Sequence, residues 1–151
     1  MSNDTIRRTL VRWMMGVALA HLAAGMLLPL LAASRLLDAY HHGVLAAFWA
    51  GDAPAPALAL QQWWFALFGP TVQSLAILMA CLVRLGDRGR EPMAWAGLIV
   101  SVLLWAPQDI GISLLHGAWP HVWLDLFALL CMLPPLCWLW WHDRQAVRVA
   151  P

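Results

Sequence analysis

No lysine occurs anywhere in the 151 residues, and charged residues of every kind reach only 11%. Soluble domains carry about 25% charged residues, so the deficit excludes an ordinary water-solvated surface. The stretches between apolar runs are also short. The longest, residues 34–62, leaves no room for a soluble domain, and any chemistry must therefore sit in or at a bilayer. Cysteine is scarce: Cys81, Cys131 and Cys137 fall inside apolar runs with no Cys-x-x-Cys pair, which argues against a structural disulfide. Phosphate-loop spacing is absent, as are His-x-x-x-His and His-Glu-x-x-His, so neither a cofactor nor a metal ion is expected. The short juxtamembrane arginine clusters suit lipid headgroups rather than nucleic acid. Arginine and alanine in abundance without lysine fit a GC-rich bacterial coding sequence.

What the chain does contain is apolar: 62% hydrophobic residues and a mean hydropathy of +0.69. Four runs, 13–33, 63–83, 93–115 and 122–141, are each long enough to cross a hydrocarbon core of about 30 Å at about 1.5 Å per helical residue. Lipid leaves no partner for free peptide groups, so these runs must be helices. The expected fold is an all-α, single-domain, up-down bundle of four transmembrane helices over residues 1–151. A short surface helix is expected in the first connection, where Leu36, Leu37, Tyr40, Val44, Leu45, Phe48 and Trp49 recur at helical spacing after Ser34. Gly51 to Pro56 should break it, and the next helix should begin near Ala57, ahead of its apolar run, carrying Gln61 and Gln62.

Charge placement gives an orientation. Arg7, Arg8, Arg12, Arg84, Arg88, Arg90, Arg144 and Arg148 fall on one side of this four-span arrangement and only Arg35 on the other. The positive-inside rule then places both termini and the 84–92 loop in the cytoplasm, and the 34–62 and 116–121 connections outside, in the inner membrane of a bacterium. Tryptophans mark both interfaces: Trp13, Trp95, Trp138, Trp140 and Trp141 inside, Trp63, Trp64, Trp119 and Trp123 outside. Arg7-Arg8-Thr9-Leu10 resembles a twin-arginine start, and Leu31-Ala32-Ala33 a signal-peptidase site. The first run exceeds a signal core, however, and cleavage would leave the new terminus outside; it is read as a retained span.

Within the spans, Gly16, Ala20 and Ala24, and Gly97 with Ser101, form small-residue ridges expected to be helix-packing faces. Pro70, Pro107 and Pro134-Pro135 are expected to kink their helices. His42-Gly43 and His116-Gly117 follow the first and third spans, which allows a duplicated hairpin on a match of two residues only.

Polar residues at depth point to a site. Asp109 is the seventeenth residue of the third span, and Ser113 and His116 follow it on one helix face. Asp125, early in the fourth span, is preceded by His121 at i−4 on the same face. A carboxylate at such depth must face protein, a partner or water, although an acidic first turn such as that of Asp125 is also favoured by the helix dipole. With Asp38, Tyr40, His41 and His42 from the surface helix, these residues are expected to line a polar chamber open to the outside, with Arg35 as counter-ion to Asp109 or Asp125. The candidate ligand-binding set is Asp109, Ser113, His116, His121, Asp125, Arg35 and His42. His21 and Gln73 lie at matching depth and are expected to form an intramembrane polar pair.

Three functions fit these features. The first is a non-enzymatic membrane component that binds a small apolar molecule or a membrane partner through the outer chamber. The second is a membrane-embedded isomerase or hydrolase acting on a lipid or isoprenoid-like substrate, with Asp109 or His116 as the catalytic acid or base. The third is a small transporter.

Overall fold

The computed structural model describes residues 2–49 and 52–149, with side chains described to residue 146. The start of the expected Gly51–Pro56 helix break lies outside the described residues. Helix α1 spans Asn3–Leu31, a single 3₁₀ turn covers Arg35–Leu37, and α2 spans Asp38–Phe48. Three long helices follow: α3 at Ala55–Gly89, α4 at Pro92–Leu115 and α5 at Trp119–Val149. Four of the five, all except α2, are long and apolar enough to cross a membrane. The chain is thus an all-helical membrane protein built as a four-helix bundle with one short additional helix. α3 begins two residues before Ala57, and with 35 residues it runs roughly 52 Å, well beyond a hydrocarbon core at both ends.

The boundaries follow local chemistry. Ser2 caps α1, its hydroxyl accepting the Thr5 N–H at 3.4 Å, and Asp4 sits in the first turn where the helix dipole favours a negative charge. α3 ends on Arg90 in the left-handed conformation (φ 47°), after which Pro92 restarts the helix at once. Between α4 and α5, Gly117 takes φ 67°. The Ala118 N–H reaches the Ser113 carbonyl at 2.8 Å and the Gly117 N–H reaches the Leu114 carbonyl at 3.1 Å. That double bond pattern is a Schellman stop, and its left-handed residue favours glycine. Pro29, Pro70, Pro107, Pro134 and Pro135 all lie within continuous helices.

α1 packs mainly on α3 and α4 mainly on α5, with α3–α4 and α1–α5 contacts closing the bundle. Its core joins Val11, Met14 and Ala18 to Met79, Val83, Trp95, Leu98, Val102, Met132, Leu136 and Leu139. Little else is inside: only 17–28% of the most apolar window of each long helix is buried. Outward residues such as Leu30, Phe127 and Leu130 remain exposed, the distribution required when lipid rather than water bathes the helices.

The tight α1–α3 approach is made by different glycines from those expected. A Cβ on Gly25 would lie 2.8 Å from the Gly69 carbonyl and from the Gln73 N–H nitrogen, and one on Gly69 would lie 2.7 Å from the Gly25 carbonyl. Gly16 and Gly97 have nothing within 4 Å of such an atom, and Ala20, Ala24 and Ser101 are exposed, so both ridges face outward. Spacing alone shows that a ridge exists but not which way it points. The His21–Gln73 pair is corrected similarly: His21 Nδ1 bonds its own helix at the Val17 carbonyl (2.8 Å), while Gln73 donates to the Gly25 carbonyl (3.0 Å).

Candidate functional site

The two ends of the bundle treat their charges differently. At the end holding both termini and the α3–α4 turn, Arg7 is 5% exposed and Asp143 fully buried. Arg7 Nε donates to Asp143 Oδ1 (2.8 Å) and Nη2 to Oδ2 (2.9 Å), a bidentate fork. Arg7 also donates to Asp87 Oδ1 (3.0 Å) and to the Gly86 carbonyl (3.1 Å). Asp143 takes two more bonds, from Trp95 Nε1 at 3.0 Å and from His142 Nδ1 at 3.0 Å. Trp95 lies directly over Gly86, where a Cβ would meet its ring at 2.5 Å. One ion pair thereby ties α1, α3, α4 and α5 together. Arginine placement alone suggests only an orienting role for Arg7; Asp87 and Asp143, acids placed among arginines, are the signal that some of those arginines are paired.

At the opposite end the polar groups are left open. Asp109 approaches from the last turns of α4, and His121 and Asp125 from the first turns of α5, brought face to face by the Gly117 stop. His121 Nε2 lies 3.4 Å from Asp109 Oδ1 and 3.8 Å from Asp125 Oδ2. Trp105, one turn before Asp109, donates from Nε1 to Asp109 Oδ2 at 2.9 Å. Tyr40 of α2 reaches His121 Nδ1 at 3.4 Å. Asp125 is 2% exposed, yet its Oδ2 has no hydrogen-bond partner among the described residues. An orphaned buried carboxylate oxygen is costly and rare.

α2 closes this end. His41, 1% exposed, bonds the Ala32 carbonyl through Nε2 at 2.8 Å and seats the helix on the end of α1. Tyr40 and His41 both pack on Phe65 of α3, with ring centroids 5.3 and 5.5 Å away. Burial, and then the nearby carboxylates of Asp125 and Asp109, push the Tyr40 hydroxyl above its ordinary range, so it stays protonated at neutral pH. On α4, Ser101, Leu104, Trp105, Gln108, Asp109 and Ile112 line a shallow, open groove of about 510 Å³.

The structure thus brings together three of the seven expected binding residues, Asp109, His121 and Asp125, and adds Tyr40 and Trp105. Arg35 is exposed at the head of the 3₁₀ turn and forms no ion pair with Asp109 or Asp125, whose basic neighbour is His121. His42 points to solvent, its Nδ1 held by the Asp38 carbonyl at 2.7 Å. His116 is exposed and stacks on Phe48 at 5.0 Å, so the histidine beside Asp109 is His121. Ser113 is buried at the α4–α5 turn, where its carbonyl takes part in the Schellman stop. No protein-family model, curated protein or solved structure matches the chain.

Proposed function

We propose that this membrane protein is a non-enzymatic component of a bacterial inner membrane that binds a small apolar molecule or a membrane partner at its Asp109–His121–Asp125 end. In this reading both termini and the α3–α4 turn face the cytoplasm, because eight of the nine arginines lie at that end. The carrying observation is Asp125: a buried acid with an unpartnered oxygen, beside an imidazole and a second carboxylate. A side chain kept for stability alone would be paired, as Asp143 is. The open groove along α4 supports a partly apolar occupant, since Leu104, Trp105 and Ile112 flank the approach to Asp109.

Two measurements test this reading. With the native cysteines replaced, Asp52→Cys should react with an impermeant maleimide in intact cells, and Ser2→Cys only after permeabilisation; the reverse pattern refutes the orientation. Native mass spectrometry of the chain in lipid nanodiscs should show a bound species in the wild type that Asp125→Asn loses. Identical spectra for the two proteins would refute the binding role.

A further inference from the structure

We infer that the Asp109–His121–Asp125 cluster is a binding site for a divalent transition-metal ion of the zinc class. The inference rests on reading this cluster as a binding site and names the chemical class of its occupant. Each residue offers one ligand atom, all within 4.8 Å of one another. A tetrahedral ion with arms of about 2.0–2.1 Å sets its ligand atoms about 3.3–3.4 Å apart. The two separations from His121 Nε2, 3.4 Å to Asp109 Oδ1 and 3.8 Å to Asp125 Oδ2, lie on or close to that edge length. The Asp109–Asp125 pair, within 4.8 Å, is drawn in by rotation of the carboxylates about the ion.

The surrounding groups prepare each ligand. Trp105 holds Asp109 Oδ2 at 2.9 Å and leaves Oδ1 facing His121. With His121 Nδ1–H donating to the Tyr40 oxygen, Nε2 keeps its lone pair for the ion. Asp125 Oδ2 is the buried oxygen that nothing else satisfies. Charge points the same way: two carboxylates and a neutral imidazole with a doubly charged cation sum to zero, the state that a lipid-flanked site favours. Imidazole disfavours calcium and magnesium, which take oxygen ligands, and suits zinc and its neighbours. Asp109 and His121 keep 28% and 30% of their side-chain surface, enough for the ion to enter and for a fourth ligand to reach it.

The test uses the full chain in nanodiscs, purified on a histidine-free tag, stripped with EDTA and titrated with zinc sulfate by calorimetry and thermal melting. One equivalent should bind and raise Tm. Cobalt(II) in its place should give the visible bands of a tetrahedral site. Asp125→Asn and His121→Gln should abolish both, whereas His42→Gln and His116→Gln should leave both unchanged. Tyr40→Phe should weaken zinc binding about 10–100-fold while keeping the tetrahedral cobalt bands. Absence of zinc binding to the wild type overturns the inference, as does binding that survives Asp125→Asn. If zinc fails while Asp125→Asn still removes a bound organic species, the metal is excluded and the binding role stands.

Discussion

Asp143→Asn is the substitution that most directly tests how the bundle is held. Asp143 is fully buried and accepts four hydrogen bonds: two from Arg7, one from Trp95 and one from His142. Asparagine keeps the shape but removes the charge and turns an NH₂ toward donors. Arg7, itself 5% exposed, is left with Asp87, whose side chain is 48% exposed and solvent-screened. Stranding one member of a buried pair costs about 3–5 kcal/mol, a large share of the roughly 5–15 kcal/mol that holds a typical domain folded. Equilibrium unfolding of the detergent-solubilised chain by SDS, followed by tryptophan fluorescence, should show that loss.

The double variant Arg7→Met/Asp143→Leu separates pairing from mere burial. If the two groups act as a unit, removing both leaves chiefly the Trp95 N–H without an acceptor, a cost of about 1–3 kcal/mol. Independent losses would instead sum to about 6–10 kcal/mol. A double variant more stable than either single one is therefore expected, with a coupling of several kcal/mol. Two results refute the reasoning: Asp143→Asn costing less than about 1 kcal/mol, as an exposed pair would, or a double variant equal to the sum of its parts.

Three further outcomes are expected. Gly25→Ala drives a methyl into the backbone of α3, 2.8 Å from the Gly69 carbonyl, and should cost about 1–3 kcal/mol; Gly16→Ala and Gly97→Ala, with open space around them, should stay within about 0.5 kcal/mol of wild type in the same unfolding assay. Gly117→Ala places a side chain at φ 67° and should cost about 1–2 kcal/mol by that assay, with unchanged stability counting against the Schellman stop. In excess EDTA, Asp125→Leu should be more stable than wild type by about 1–3 kcal/mol in the same unfolding assay, since it removes an unsatisfied buried carboxylate; a less stable variant would show that the carboxylate is already satisfied.

The architecture was legible because lipid leaves so few solutions. Once four apolar runs must hide their peptide groups, helices and an up-down order follow, and helical periodicity after Ser34 revealed α2. What single-sequence reading could not resolve was direction around each helix axis. Gly16 and Gly25 look equally suited to close packing, yet only Gly25 faces α3, because nearly every surrounding position is apolar and the usual polar stripe that marks an outer face is missing. Of the four α2 residues expected at the chamber, His42 was chosen for the binding set, yet it and Asp38 face solvent while Tyr40 reaches the site. Asp109, His121 and Asp125 were found because acids within spans are costly. Arg35 was assigned as their counter-ion only because it was the one arginine on that side, and net charge carries no geometry.

The two ends of the bundle use one residue chemistry for opposite purposes. Asp143 and Asp125 both lie in α5, and both are almost fully buried. Around Asp143, an arginine, a tryptophan and a histidine supply every donor from within the chain, so the group is fixed and has no capacity left for a ligand. Around Asp125, an imidazole nitrogen lies 3.8 Å from Oδ2, and that imidazole is shared with Asp109. A carboxylate with no partner destabilises the free protein and gains the most from whatever enters. On the binding role proposed above, the Asp125 end would gain a partner from its occupant, whereas the Asp143 end already holds all of its own.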